Sequence, residues 1–147
     1  MQHVVCTGNI DREQYDELRA LAPTVHVVAG DFDIGSPWPE TSTLQVGQFR
    51  IGVIHGHQLL PSGGNNEAAL ARMRRKLNVD ILVSGHTHQN QVLCHDGYYH
   101  INPVSTIYAT TVVLAVAVLY CAIFIGGLAT IHLAHLNYPY YSTGISD

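Results

Sequence analysis

The sequence predicts an α/β fold, a layered sandwich of strands and helices, and two patterns carry that expectation. Between residues 2 and 103, short apolar runs of strand length alternate with segments of helical period before giving way to hairpins. Four of the apolar runs end in a glycine-containing loop that carries Asn9, Asp31, His55 or His86. In folds of this class ligands collect outside the carboxyl ends of the strands, so the same pattern that predicts the sheet also predicts where its chemistry lies.

The first strand is Val4-Val5-Cys6, running into Thr7-Gly8-Asn9. Asp11 then caps a helix, with Gln14 completing a capping box and Tyr15, Leu18, Leu21 and Ala22 recurring at helical spacing until Pro23 stops it. Val25 to Ala29 is the second strand and leads into Gly30-Asp31-Phe32-Asp33. The loop from Ile34 to Glu40 is rich in Gly, Ser and Pro, and Trp38 within it reads as a packing or partner anchor. Thr43–Val46 and Phe49–Ile54 form a hairpin through Gly47-Gln48. Asn66 to Leu77 is a helix with Ala69, Leu70, Met73 and Leu77 on one face. Asp80 to Ser84 is the next strand, and Asp96-Gly97, a type I′ turn signal, joins strands Gln91–His95 and Tyr98–Ile101.

A chain of 147 residues with 47% hydrophobic content fits one domain with a sizeable core. The formal charge of -4 argues against nucleic-acid binding. Arg72, Arg74, Arg75 and Lys76 are then the solvated face of a helix. Three cysteines, Cys6, Cys94 and Cys121, share no close spacing and fit a reducing compartment, Cys6 as a small buried residue.

The chemistry sits in two His-X-His elements, His55-Gly56-His57 and His86-Thr87-His88, each closing a hydrophobic strand. One such pair is common on surfaces. Two of them, joined by Asn9 and Asp31 from other strand ends, make a mixed nitrogen and oxygen ligand set suited to zinc, manganese or iron.

Cys6-Thr7-Gly8-Asn9, Gly30-Asp31-Phe32-Asp33, Ile54-His55-Gly56-His57 and Gly85-His86-Thr87-His88, with Ile101-Asn102-Pro103, stand in the order and spacing of a known family. In these motifs the chain resembles the calcineurin-like metallophosphoesterases, in the branch that serves as a subunit of retromer. The resemblance covers about residues 2–103 and implies an α/β/β/α metallophosphoesterase-like sandwich, incomplete at both ends, with residues 1–103 as its domain. It also implies the ligands Asn9, Asp31, His55, His86 and His88. Asn9 takes the position of the metal-bridging carboxylate, and Asp31 takes a position usually held by asparagine. The Asp-X-His pair that active relatives carry on their first strand is missing. With Asp31 the sole anion, one divalent ion held by Asn9, Asp31, His55 and His86 is the expected maximum, and a second would keep Asn9 and His88 alone.

Active relatives also have a histidine as general acid where Phe32 stands here, and a phenyl ring cannot donate a proton. His57 is the nearest spare imidazole and reads as a hydrogen-bonded wall of the cleft. The resemblance therefore implies a catalytically silent scaffold in endosomal protein sorting and retrograde transport. It would be cytoplasmic, recruited to endosome membranes, and bound by its metal face to the helical-solenoid subunit of the vacuolar protein sorting 35 type. Leu59 and Leu60, after the His55 motif in a Pro-Ser-Gly-Gly loop, are expected as its exposed contact patch. A weak metal-dependent phosphodiesterase and a membrane-anchored metal-binding protein are the alternatives.

The tail, 104–147, has a different character. No Asp, Glu, Lys or Arg lies between Asp96 and Asp147. The run 109–131, at ~1.5 Å per helical residue, reaches across a bilayer core of ~30 Å. Its β-branched residues suit buried strands as well, and it lacks flanking Lys or Arg to set an orientation. A third reading is intron read-through, because relatives continue Asn-Pro with Gly-Ser and the Val104-Ser105 codons permit a splice-donor sequence. Met1, beside Gln2-His3, reads as an internal methionine taken as a start.

Overall fold

The structure is a computed structural model that describes residues 3–59, 66–89 and 91–103, together with the backbone of 116–118 and 132–134. Strand β1 (His3–Cys6) is followed by helix α1 (Arg12–Leu21) and β2 (Thr24–Val27). Strands β3 (Thr41–Val46) and β4 (Phe49–Ile54) precede α2 (Glu67–Leu77) and β5 (Ile81–Val83). The hairpin β6 (Gln91–His95) and β7 (Tyr98–Asn102) follows. Asp11 and Gln14 form the expected reciprocal cap of α1, Asn66 caps α2, and Asn78 ends α2 in the left-handed conformation. Asp96 and Gly97 both have positive φ, as a type I′ turn requires.

Two sheets form from these strands. β1 and β2 pair in parallel, and the second sheet has the order β3-β4-β5-β7-β6, in which β4, β5 and β7 are parallel and the outer strands antiparallel. Alternation along each strand sorts side chains into two sets of layers. Val5 from the first sheet meets Leu44, Ile51, Val53, Ile81, Val83 and Ile101 from the second, which fills the space between sheets. Val4, Cys6 and Val27 point the other way, onto Leu18 of α1 and Ala22 at its C-cap. Ile54 and Leu82 likewise face away from the inter-sheet core, onto Ala69 and Leu70 of α2. The order of layers is α1, sheet, sheet, α2, the expected α/β/β/α sandwich.

Gly52 of β4 suits that packing, since a Cβ there would lie 3.0 Å from Val79 and 3.1 Å from Leu77, tight contacts that those side chains would have to relax. Trp38 packs on Tyr15 with ring centroids 4.6 Å apart and borders the α1 core, in keeping with the packing half of its expected role. Cys6 is buried, and burial pushes its thiol up to about 11, as an inert core residue demands.

Two further strands, β8 (Val116–Val118) and β9 (His132–Ala134), pair antiparallel. Three residues of the uncharged run are therefore extended where a continuous membrane helix over 109–131 was one expectation. The rest of that run, with Val104-Ser105, Cys121 and Met1, lies outside the described residues. No helix among the described residues is long and apolar enough to cross a membrane.

The layering predicts a contrast. Leu82→Ala, which empties a 1% exposed site under α2, should cost roughly 2–5 kcal/mol in urea unfolding. Leu21→Ala, at a site 44% exposed, should cost under about 0.5 kcal/mol.

Candidate metal centre

Parallel pairing brings the carboxyl ends of β1, β2, β4, β5 and β7 to the same edge of the sandwich, and their loops interlock there. Gly56 has φ +121, and a Cβ on it would lie 2.8 Å from the carbonyl oxygen of Gly85. A Cβ on Gly85 would in turn meet Thr7 Oγ1 at 2.6 Å. Only glycine permits this approach. The backbone then closes the contact, with the Gly85 amide donating to the His55 carbonyl at 2.7 Å.

Asp33, a residue to which sequence reasoning assigned no role, organises the first two loops. Its carboxylate accepts from the amides of Asn9 at 2.6 Å, Gly30 at 2.8 Å and Ile10 at 3.1 Å. Asn9 is thereby held at φ 58, a left-handed conformation that asparagine tolerates better than most residues. Its side chain bridges to the next loop, donating to Asp31 Oδ1 at 3.0 Å and accepting from the Phe32 amide at 3.0 Å. On the other side, Asn102 donates to the Gly85 carbonyl at 3.1 Å and to Thr87 Oγ1 at 2.7 Å, which fixes the loop carrying His86 at φ 69 and His88 at φ 54.

The result is a cluster in which ligand atoms of Asp31, His55 and His86 lie within 4.8 Å of one another. His55 is buried. Its Nδ1 is 2.6 Å from the Thr7 carbonyl, an acceptor only, so Nδ1 carries the proton and Nε2 presents its lone pair to the cluster. That Nε2 lies 3.0 Å from Asp31 Oδ1, yet the two are not aligned as a hydrogen bond and Nε2 has no such partner among the described residues. His86 Nδ1 is 3.7 Å from Asp31 Oδ2.

Burial holds His55 below its ordinary pKa despite the opposing pull of the Thr7 carbonyl and Asp31. Burial works against the ionised form of Asp31, but the Asn9 amide, its own backbone N–H and the two imidazoles together hold its carboxyl below the usual range. A neutral imidazole lone pair therefore faces a carboxylate, an arrangement that a shared cation relieves. These residues fit a divalent metal.

Of the expected ligands, Asp31, His55 and His86 come together, and Asn9 is the hydrogen-bonded support of Asp31. His88 is outside the three-residue cluster. His57 brings its ring to 5.4 Å from that of His55 and 6.3 Å from that of His86. It lines the cluster, but the hydrogen bonding expected of it is missing at Nδ1, which is buried with no partner among the described residues. The expected exposed leucine pair is corrected at Leu59. The turn Gly56–Leu59, closed by the Leu59 amide on the Gly56 carbonyl at 3.0 Å, drives Leu59 into the core under α2, where it is 2% exposed. Leu60 lies outside the described residues. Thr7 and Asn102 act through positions that composition does not mark, whereas Asp33 was signalled by its place in the Gly-Asp-X-Asp element.

Asp33→Ala strands three backbone amides and should cost roughly 2 kcal/mol in urea unfolding while weakening divalent metal binding by calorimetry. A second expectation concerns pH. His100, buried and hydrogen-bonded to Ser84 at 2.8 Å, is pushed down to about 4 from 6.5 by burial. Its folded form resists protonation, so this contribution is complete above pH 6.5 and is lost as pH falls toward about 4. The shift corresponds to roughly 3 kcal/mol. Urea midpoints measured in chelator should fall over that window, and His100→Phe should flatten the fall.

Comparison with known proteins agrees with this geometry. The family model described as the calcineurin-like phosphoesterase superfamily domain matches residues 1–121. Vacuolar protein sorting-associated protein 29 of Schizosaccharomyces pombe is 31% identical over 106 residues, which are 71% of this chain and 56% of that protein. A crystal structure of a single-mutant Vps29 from Entamoeba histolytica superposes with a TM-score of 0.68 at 40% identity, over 78% of this chain and 66% of that one. Wild-type Vps29 of the same organism, complexed with zinc, gives 0.67 at 47% identity, over 71% of this chain and 58% of that one. The chain thus spans little more than half the length of the curated relative it matches. With its layers, its strand-end loops and its cluster of one carboxylate and two imidazoles, the chain belongs to the calcineurin-like phosphoesterase superfamily and is Vps29-like within it.

Proposed function

We propose that the chain is a retromer-type scaffold subunit in endosomal protein sorting and retrograde transport, its phosphoesterase fold used to bind protein. The observation that carries this reading is Phe32, which is 81% exposed beside Asp31 at the position where active relatives hold their proton-donating histidine. Ile34, two residues on, is 93% exposed. Apolar side chains around a metal centre give no acid for a leaving group, and they suit a surface covered by a partner. The name of the fission-yeast relative supports the sorting role.

The partner in this reading is a helical-solenoid subunit of the vacuolar protein sorting 35 type, and the complex, in the cytoplasm, supplies the association with endosome membranes. The domain of this scaffold is 1–103, with 104–147 as an appended hydrophobic segment. One divalent ion, zinc, manganese or iron, is held by Asp31, His55 and His86 with Asn9 in support, and His88 at the margin. A bound ion would neutralise Asp31 and cross-link three loops. The residues themselves preset that geometry: Thr7 fixes the His55 tautomer, and Asn9 fixes the carboxylate.

A low-efficiency metal-dependent phosphodiesterase is the second reading, favoured by the cluster of Asp31, His55 and His86. Manganese-supported turnover of a generic phosphodiester, abolished by His86→Ala, would favour it over the scaffold.

Two outcomes test the scaffold reading. Phe32→Asp should weaken capture of the solenoid subunit by about 2 kcal/mol, roughly thirtyfold, with the thermal melt unchanged. Unchanged capture by a folded variant overturns the interface. Titration calorimetry should give one divalent site per chain, weakened at least about tenfold in His55→Ala, and two tight sites would contradict the single-ion assignment.

A further inference from the structure

Among the described residues, the outer face of the five-stranded sheet is only partly covered. Helix α2 packs on β4 and β5, and beside it, against the β6–β7 hairpin, it offers Ala68 and Ala71, side chains too short to close the gap. A cavity of about 360 Å³ opens there, within the range of small-molecule sites. Register explains its chemistry. Leu82, His100 and Leu93 are paired neighbours across β5, β7 and β6, and so share this face of the sheet. With Leu70 of α2 the two leucines give an apolar floor, and His100 is set among them.

His100 is 6% exposed. Its Nε2 is engaged with Ser84 Oγ at 2.8 Å, but its buried Nδ1 has no partner among the described residues. Such a nitrogen is an incomplete hydrogen-bonding site in a pocket that already has walls. Where the Ser84 hydroxyl donates to Nε2, Nδ1 carries the proton, which makes it an unsatisfied donor on a side chain that lines the cavity. The rim supplies charge. The Arg74 guanidinium lies 3.4 Å from the centroid of the Tyr98 ring, which holds it at the cavity edge, and Arg75 follows it. Asp96 is engaged by His95 at 3.2 Å, while Glu67 stands at the other end of the cavity. Arg74 and Arg75 share the rim with two carboxylates, Glu67 and Asp96, a balance that opposes a phosphate dianion and leaves the Arg74 guanidinium fork to pair with a single carboxylate.

We propose that this cavity is a binding site for a small carboxylate with an apolar body, the carboxylate paired with Arg74 and hydrogen-bonded by His100, the body resting on Leu70, Leu82 and Leu93. The site is on the helix-covered face of the sheet, not among the strand-end loops. It does not depend on the scaffold reading.

The test uses the full chain, nitrogen-15 labelled, in chelator. It is titrated with 4-methylpentanoate and with benzoate, and with the corresponding amides as neutral isosteres. Amide resonances of Ala71, Arg74, Leu93 and His100 should shift with the carboxylates, and the neutral amides should bind at least about tenfold more weakly. Arg74→Gln, a rim substitution that leaves the floor intact, should weaken carboxylate binding by a similar factor, and His100→Phe should do so independently. If His100→Phe does not fold, Arg74→Gln decides alone. Absence of shifts at millimolar ligand, meaning a cavity that holds only water, would overturn the proposal. So would equal binding of amide and acid, or shifts confined to Asp31 and His86.

Discussion

The carboxylate of Asp33 is the pin on which the strand-end loops depend. By accepting from the amides of Asn9, Ile10 and Gly30 it ties the loop after β1 to the loop after β2. Once those two segments share a carboxylate, Asn9 has one orientation available, and its amide can reach Asp31 on one side and the Phe32 backbone on the other. Asp31 is thereby aimed at His55, whose own tautomer is fixed by the Thr7 carbonyl. A donor set for a cation is thus assembled through backbone hydrogen bonds and the Asp33 carboxylate.

The electrostatics of the cluster follow from the same economy. Asp31 is its one carboxylate, and the second carboxylate nearby, Asp33, has its oxygens committed to amides. A centre of this kind has charge to balance a single divalent ion only in part, so neutral imidazoles make up the remaining coordination. Phe32 and Ile34, both exposed, follow Asp31 in the same connection and add apolar surface there.

Much of this was legible in the sequence because the signals were local. The Asp11 and Gln14 capping box, the Asp96-Gly97 turn and the runs at Ile51–Ile54 and Ile81–Val83 each state their structure within a few residues. The ligands Asp31, His55 and His86 were legible because each ends a strand, and parallel strands bring such ends together. Leu59 was misread for a physical reason: a leucine after a glycine turn is as apt to fold back under a helix as to face solvent, and only the tertiary path of the Gly56–Leu59 turn decides. The roles of Thr7 and Asn102 were hidden because they act through a backbone carbonyl and through contacts seventeen and fifteen residues away in the chain.

The alternation that sorts Val4 and Cys6 from Val5, Ile51 and Val53 from Ile54, and Ile81 and Val83 from Leu82 also bears on how such a chain can change over generations. A single-codon insertion or deletion within β1, β4 or β5 would exchange the inter-sheet set for the helix-facing set along the rest of that strand, putting every following side chain in the wrong layer. Substitutions can accumulate one at a time, but length cannot. Divergence in chain length is therefore channelled into the connections, such as Ile34–Glu40 between β2 and β3, which neighbour the metal centre. The rigidity of the sandwich thus directs evolutionary novelty toward the rim of the site, where new partners can be met without disturbing the ligands.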